Sequence, residues 1–309
     1  MIVNGIDTDA DFGEAFPGCV AGRTLIVDGD GPCYVAAATA KRLDTAIRYF
    51  HQEMLKRQFL TGSQDIRVHL TAKTSDKHGR FRVKAVKPYQ GQRDSKGKPA
   101  LLEPLREAIA SRENWIDEYD TVILHRDLEA DDGMMQDAYR LGPNGVISSE
   151  DKDLRMTPWA WYEQDKGAVM QPEPVGWVDV KYTPSGSAKL HGQGPLFFWL
   201  QMLAGDTADN IKGIQTLGGK LCGIQGAVDA LKGCKDINVA ANFVLDGYRA
   251  IDQNPLAEGW LLWLTRYPKD NVINYMRELA LSEANRAYIE SCLTRDWVLP
   301  KEQFEDVPF

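Results

Sequence analysis

The sequence of 309 residues has few cysteines, no long apolar run and no excess of positive charge. Its five cysteines are scattered without a CxxC pair, which argues against a zinc site and favours reduced thiols in a cytoplasm. The longest apolar stretch, residues 195–204, is too short to span a membrane. Residues 1–14 contain four acids and no basic residue, unlike a signal or transit peptide. We therefore expect a cytoplasmic globular protein that does not bind membranes.

The net charge of −8 argues at first against a nucleic-acid partner. The charge is unevenly distributed, however, because residues 73–98 contain nine Lys or Arg and only two Asp. The carboxylates are concentrated elsewhere in short groups. This distribution fits an acidic metal pocket beside a surface that holds a polyanion, with a solvated basic loop as the alternative.

Short apolar runs that alternate with helical periodicity predict an α/β fold with a mainly parallel sheet. The predicted strands are residues 24–27, 66–70, 121–124 and 146–147, with an added antiparallel strand at 177–182. The predicted helices of this part are residues 35–60, 101–110 and 134–140. Further helices are predicted at 196–203, 219–231, 240–250, 257–264 and 272–292. We expect an α/β part over residues 1–195 and a helical part over residues 196–309.

Four groups of carboxylates follow the predicted elements. They are Asp28 after the first strand, Glu129, Asp131 and Asp132 after the third, Asp151 and Asp153 after the fourth, and Asp206 and Asp209 after the first helix of the helical part. Sites in open parallel sheets form beyond the carboxyl ends of strands, and eight carboxylates in one cavity would repel strongly without cations. We therefore expect two Mg²⁺ or Mn²⁺ ions, about 4 Å apart, on these eight side chains. Each group alone would also fit a solvated turn or an acid-rich first helical turn.

These segments together resemble the motifs of the 5′-nuclease family, which includes flap endonucleases and bacteriophage 5′→3′ exonucleases. The matching segments are Val27-Asp28-Gly29, Glu129-Ala130-Asp131-Asp132, residues 148–153 and residues 205–213. The resemblance implies a PIN-like nuclease core over residues 1–195 with a basic arch over 73–106, and a helix–three-turn–helix near 198–231. It implies that the eight acids are catalytic metal ligands. Asp28, Glu129, Asp131 and Asp151 would form the tighter site, and Asp153, Asp206 and Asp209 would lie nearer the second, with Asp132 acting through water.

The resemblance also implies which residues bind DNA. In the arch, Tyr89 would stack on a base, Arg93 would clamp the scissile phosphate, and Lys84 and Lys87 would add charge. In the helix–three-turn–helix, which in the family often holds a K⁺ ion, the duplex backbone would be contacted by Gly213, Gly218, Gly219 and Lys220. The sequence departs from the family at three positions. Gln90 replaces a usual lysine, Thr71 replaces an expected acid, and Asp30 is an additional acid.

The implied activity is that of a two-metal 5′→3′ exonuclease on duplex DNA with a 5′ end, nick, gap or flap. It would serve phage DNA replication or recombination as a monomer in the host cytoplasm, with flap cleavage and RNase H-type cleavage of RNA–DNA hybrids as related activities. Two alternatives stay open. Asp28 and Asp30 also resemble the DxDG motif of haloacid-dehalogenase-type phosphatases, although Pro32 stands where a Thr is usual. A DNA-binding protein of the same shape that does not cleave is the other.

Overall fold

The computed structural model describes residues 2–3, 6–7, 18–91, 97–111 and 121–297. The chain divides into two compact units that alternate along the sequence. The first unit contains residues 1–75, 97–150 and 159–171, and the second contains residues 76–96, 151–158 and 172–309. No helix in the described ranges is long and apolar enough to span a bilayer.

A six-stranded sheet with helices packed against it forms the first unit. In chain order the elements of this unit are β1 (Ile2–Val3), β2 (Ile6–Asp7), β3 (Val20–Asp28), α1 (Asp30–Thr39), α2 (Leu43–Thr61), β4 (Ser63–Thr71), α3 (Leu102–Ala110), β5 (Thr121–His125), α4 (Ala130–Leu141), β6 (Gly145–Ser148), β7 (Ala160–Glu163) and β8 (Ala168–Met170). The sheet order is β5-β4-β3-β6-β7-β8, and β1 pairs with β2 apart from it. Neighbouring strands are parallel except for β8, which is antiparallel to β7. The predicted fold class is therefore confirmed for this unit.

The central strand β3 explains why the sheet forms where the sequence predicts it. Leu25, Ile26 and Val27 are fully buried, as expected for a parallel strand that is covered on both faces. The register places Asp28 opposite His69 and aligns the carboxyl ends of β3, β4, β5 and β6 at one edge. The chain first adds β4 and β5 on one side of β3 and then adds β6 on the other. This reversal makes a topological switch point, where sites of open α/β sheets form.

The second unit is mainly helical. In chain order its strands and helices are β9 (Trp177–Tyr182), β10 (Ala188–Gln193), α5 (Pro195–Ala204), β11 (Thr216–Leu217), β12 (Lys220–Leu221), α6 (Ile224–Leu231), α7 (Ile237–Ala250), α8 (Pro255–Leu262), α9 (Val272–Glu278) and α10 (Glu283–Leu293). Every residue of α5 from Leu196 to Leu203 is buried, which fits a helix that is apolar on all sides except at Gln201. This helix packs against α6, α7 and α8 and forms the centre of the unit.

Several predicted boundaries are wrong, and turn chemistry gives the reason. The predicted helix over residues 35–60 is two helices, α1 and α2, separated by residues 40–42. The predicted helix over 219–231 begins only at Ile224, because Gly218 and Gly219 adopt left-handed φ values of 57° and 78° and form a hairpin turn. The predicted helix over 272–292 breaks before Ser282, whose side chain caps α10 by accepting a hydrogen bond from the backbone N–H of Asn285.

The position of the predicted antiparallel strand at residues 177–182 is also corrected. This strand forms as β9, but it pairs with β10 in a separate two-stranded ribbon. The antiparallel edge of the main sheet is β8 instead, which the sequence analysis did not predict. A three-residue strand is too short for its alternation of residue types to be recognised in a sequence. In the structure, β8 is identified by its pairing with β7.

Candidate metal centre and nucleic-acid interface

In the first unit, Asp28 lies at the carboxyl end of the central strand. Its Oδ1 atom accepts a hydrogen bond from the backbone N–H of Asp30 at 2.9 Å. Its Oδ2 atom accepts a hydrogen bond from the Ser149 hydroxyl at 3.3 Å. Ser149 follows β6, so this contact joins the ends of the two strands on either side of the switch point. The carboxylate of Asp28 is thereby held at the place where the topology favours a site.

Glu129, Asp131 and Asp132 begin helix α4 at the same edge of the sheet. Glu129 and Asp132 form a reciprocal capping box, in which the Asp132 carboxylate accepts the backbone N–H of Glu129 at 3.3 Å. Asp132 is fully buried, whereas Glu129 and Asp131 are half-buried. The Thr71 hydroxyl at the end of β4 accepts the backbone N–H of Ala130 at 2.9 Å. The capping box and Thr71 together fix the start of α4 against the sheet.

The additional acid Asp30 lies beside Thr71. Its carboxylate accepts the backbone N–H of Thr71 at 3.2 Å and pairs with Arg106 at 2.9 Å. Burial raises the pKa of Asp30 and outweighs the opposing effect of Arg106. The end of β4 therefore has a carboxylate after all, although it comes from helix α1 and not from the strand itself. Both departures are visible in the sequence, but the contact between them is visible only in the structure.

A pair of histidines, the buried His69 and the half-buried His125, packs against α4. The His69 Nδ1 and His125 Nε2 atoms lie 2.9 Å apart, and the rings stack with centroids 5.2 Å apart. His69 Nε2 lies 3.0 Å from the carboxylate of Asp137, which also pairs with Arg67. Burial, followed by the neighbouring His69, lowers the pKa of His125 to about 4. Burial also lowers the pKa of His69, so both rings are neutral near pH 7. The pair packs where α4 has Gly133.

A cavity of about 490 Å³ opens beside Asp28 in the first unit. Its walls come from α1, α2 and the segment after β6, and include Val35, Tyr49, Arg57 and Ser149. A cavity of this size is in the range of small-molecule and nucleotide sites. Its location at the switch point explains why it forms next to Asp28.

In the second unit, Asp153, Asp206 and Asp209 form an acidic cluster. One carboxylate oxygen from each lies within 4.8 Å of the others. Asp151 accepts the backbone N–H of Asp153 at 2.8 Å and so belongs to the same turn. Lys152 lies between two members of the cluster, with Nζ at 2.9 Å from Asp153 and 2.7 Å from Asp206. The structure thus brings together four of the eight predicted ligands in this unit.

The electrostatics of the cluster point to a shortage of positive charge. Burial and the nearby carboxylates of Asp151 and Asp206 raise the pKa of Asp153 to about 8, although Lys152 opposes this. Burial alone would lower the pKa of Lys152, but Asp153 and Asp206 more than offset it and raise that pKa. The donor atoms are all carboxylate oxygens, the ligands that Mg²⁺ and Mn²⁺ prefer. The residues present therefore fit a hard divalent cation.

The loop after α5 positions Asp206 and Asp209. Asp206 and Ile211 exchange both backbone hydrogen bonds, at 2.9 and 2.7 Å, which closes the loop. The ends of the loop are Gly205 and Gly213, with φ values of 75° and 68°. Their backbones are in contact, so a Cβ atom on Gly213 would clash with the backbone nitrogen of Gly205 and would lie 2.9 Å from the carbonyl oxygen of Leu203. Both glycines are therefore required by backbone packing and not only by contact with a phosphate.

The basic segment over residues 76–91 is hydrogen-bonded to this loop. Gln90 donates from its backbone N–H to the Asp209 carbonyl at 2.9 Å, and from its side-chain Nε2 to Asp209 Oδ1 at 3.0 Å. Asn210 returns a hydrogen bond to the Pro88 carbonyl at 2.9 Å. Lys77 Nζ donates to the Gln90 side-chain oxygen at 3.0 Å. Gln90, which departs from the family pattern, thus orients Asp209 and connects it to a lysine.

The other predicted nucleic-acid-binding residues have different surroundings. Tyr89 is only 5% exposed and packs against Phe81, so its ring faces protein and not solvent. Lys84, Lys87 and Lys220 are all exposed, and Lys84 pairs with Asp296 at 2.8 Å. Arg93 lies outside the described residues.

The predicted helix–three-turn–helix region is a helix–loop–helix over α5, the β11–β12 hairpin and α6. Gly218 and Gly219 form the exposed tip of the hairpin, and a Cβ atom on either would meet open space among the described residues. Gly213 is buried, and its N–H donates to the Glu258 carboxylate at 3.0 Å. A phosphate can therefore approach the hairpin tip more readily than Gly213.

Glu258 is the most informative residue that sequence reasoning missed. It is fully buried, and its carboxylate accepts the backbone N–H groups of Val86 and Gly213, at 2.9 and 3.0 Å. It therefore joins the basic segment to the loop that carries Asp206 and Asp209. A single Glu in an otherwise apolar helix was the available signal, because buried carboxylates need several donors.

No family model matches the chain. No curated protein matches it either. Among solved structures, the chain is similar to a bacteriophage T5 protein co-crystallized with metal ions, at 14% identity and a TM-score of 0.48. It is also similar to the T5 5′-exonuclease with bound zinc, at 13% identity and 0.43, and to a T5 flap endonuclease complex with DNA and metal ions, at 13% and 0.47. In each case 88% of this chain and 98% of the other are covered.

Proposed function

We propose that this chain is a metal-dependent nuclease that hydrolyses phosphodiester bonds of duplex DNA from 5′ ends, of the bacteriophage 5′→3′ exonuclease type. The observation that carries the proposal is the cluster of Asp153, Asp206 and Asp209 with Lys152 between its members. Three converging carboxylates with one internal cation leave excess negative charge, which a divalent cation would balance.

We assign the ligands of one ion to each of the two units. Asp153, Asp206 and Asp209 would hold one ion, and Asp28, Glu129 and Asp131 would take part in holding the other. Asp151 would contribute through its turn, and Asp132 would act by fixing the start of α4. When bound, the ions supply an activated water and neutralise charge that develops on the phosphate.

The chain's own residues would position the DNA. The exposed hairpin tip of Gly218 and Gly219, with Lys220 beside it, would contact the duplex backbone, with K⁺ as an additional ligand of the helix–loop–helix. Lys87 and Arg93 would neutralise the phosphate near the cut. Gln90 would keep Asp209 oriented while the basic segment holds DNA. Tyr89 enters the proposal as a packing residue and not as a base-stacking one.

The substrates would be duplexes with a 5′ end, nick, gap or flap, and RNA–DNA hybrids are a further candidate. The protein would act as a monomer in the host cytoplasm during phage replication or recombination, with residues 1–195 as the nuclease part and 196–309 as the DNA-binding part. A phosphatase mechanism based on Asp28 and Asp30 would not use the cluster of Asp153, Asp206 and Asp209.

The test is to incubate end-labelled duplex, nicked and flapped DNA with Mg²⁺ and to size the products. We expect short 5′-phosphorylated products from the wild type and none from Asp206→Asn or Asp131→Ala, with DNA binding retained. Asp229→Asn, an exposed acid on α6, is the matched control and should cleave normally. Undiminished cleavage by either site variant would contradict the ligand assignment. Hydrolysis of p-nitrophenyl phosphate without DNA cleavage would favour the phosphatase instead.

A further inference from the structure

Gln201 is a fully buried glutamine with one unsatisfied atom. It lies on α5 among apolar neighbours and has no exposed surface. Its Nε2 donates to Asp153 Oδ1 at 2.7 Å, but its Oε1 finds no hydrogen-bond donor among the described residues. Buried polar atoms in folded proteins almost always have a partner, so a buried acceptor without one needs an explanation.

The amide of Gln201 lies at the edge of the acidic cluster. Asp153 Oδ1 receives both Gln201 and Lys152, at 2.7 and 2.9 Å, and Lys152 also reaches Asp206. Oε1 is bonded to the same carbon atom as Nε2, so it also lies close to Asp153. Since α5 is the packed centre of its unit, the amide is presented by a rigid element.

We infer that Gln201 supports the Asp153–Asp206–Asp209 metal centre without coordinating the ion. Its Oε1 atom would accept a hydrogen bond from a water molecule in the ion's hydration shell. This inference rests on the proposed function. Mg²⁺ and Mn²⁺ keep part of their water in proteins, and the hydrogens of that water need acceptors. A neutral amide oxygen supplies one without adding charge to a crowded set of carboxylates. Nε2 at the same time fixes the orientation of Asp153, as outer residues do at metal sites.

The matched control is Gln193, a second glutamine of the same unit that is 1% exposed. Both ends of its amide are satisfied, because Oε1 accepts from the backbone of Glu173 at 3.1 Å and Nε2 donates to the carbonyl of Thr157 at 3.4 Å. Replacing either glutamine by leucine removes a buried amide. Only the Gln201 variant should alter metal binding.

The experiment is a calorimetric titration of Mn²⁺ into the full chain without DNA, together with the rise of the melting temperature in Mn²⁺. We expect Gln201→Leu to bind Mn²⁺ about ten- to a hundredfold more weakly than the wild type, while Gln193→Leu keeps wild-type affinity. Gln201→Leu with unchanged Mn²⁺ affinity would overturn the inference. So would an equal loss in both leucine variants, since a general packing effect would then be the cause.

A second variant covers the case in which Gln201→Leu does not fold. Gln201→Met keeps the length of the side chain but has no amide, so it should bind Mn²⁺ as weakly as Gln201→Leu is expected to. Wild-type Mn²⁺ affinity in this variant would also overturn the inference. If Asp206→Asn binds Mn²⁺ like the wild type, the proposed metal centre itself fails, which is a distinguishable result.

Discussion

Replacing Gly133 by alanine tests whether the histidine pair supports the acidic start of α4. A Cβ atom at this position would lie 2.8 Å from His69 Nδ1 and closer still to the ring of His125. The rings cannot simply rotate away, because His69 also contacts Asp137 and the two rings are stacked. The helix must therefore shift relative to the sheet, and the shift displaces the turn that carries Glu129 and Asp131.

The expected magnitude follows from opposing effects. Alanine is favoured over glycine inside a helix by about 1 kcal/mol. Overpacking costs about 1–3 kcal/mol, and loss of the contact between the two histidines costs about 1 kcal/mol more. The net loss of stability is then roughly 1–3 kcal/mol, or about 2–4 °C in melting temperature for each kcal/mol. Since a misplacement of about 1 Å at a reacting centre can cost about 10²-fold in rate, cleavage should fall more than stability alone explains.

The assays are urea unfolding and DNA cleavage in Mg²⁺, with Gly226→Ala as the control. Gly226 also lies in a helix, but a Cβ atom there meets nothing within 4 Å. Gly226→Ala should therefore raise the melting temperature and leave cleavage unchanged. A Gly133→Ala protein that is as stable and as active as this control would refute the packing of α4 on the histidines.

Three further predictions concern charge and hydrogen bonding. Gln90→Ala removes the amide that holds Asp209 at 3.0 Å, so Mn²⁺ affinity should fall about tenfold or more by calorimetry, whereas the exposed Gln164→Ala should not change it. Lys220→Ala should weaken binding to duplex more than to single strands and reduce the salt slope by about 1, with the exposed Lys235→Ala as control. His125, whose pKa is lowered from 6.5 to about 4, should make the protein less stable as the pH falls through that range, by urea unfolding.

The sign of the pH effect follows from proton binding. Between pH 6.5 and 4 the unfolded chain binds a proton at His125 that the folded chain excludes, so stability is fully present above pH 6.5 and is lost below it. The shift corresponds to about 3 kcal/mol at most, and to roughly 1–2 kcal/mol after allowance for partial exposure to solvent. His125→Gln should flatten this part of the pH profile. An unchanged pH profile of stability in His125→Gln would contradict the lowered pKa of His125. For Lys220→Ala, equal losses of affinity for duplex and single-stranded DNA would contradict the hairpin contact. For Gln90→Ala, an unchanged Mn²⁺ affinity would contradict the proposal that Gln90 orients Asp209.

The local pattern of apolar residues was enough to predict four strands of the sheet, β3 to β6, but not β7 and β8. Leu25, Ile26 and Val27 form a run that can be buried only in a covered strand, and the order of strands and helices dictates parallel pairing. The same logic located Asp28 and Glu129 beyond strand ends. It failed where a boundary depends on one or two turn residues, as at Gly218 and Ser282, because periodicity does not report φ values or caps.

The sequence by itself therefore determined the class of fold and the edge of the sheet beyond which Asp28 and Glu129 lie, and it predicted a site for divalent cations. These follow from periodicity and residue chemistry, which are local properties. Only the tertiary structure decided that Gln90 and Gln201 donate hydrogen bonds to Asp209 and Asp153, that the Asp30 carboxylate accepts one from Thr71, and that Tyr89 is buried. Each of these depends on contacts between residues distant in sequence, and a linear pattern does not encode which distant side chains meet.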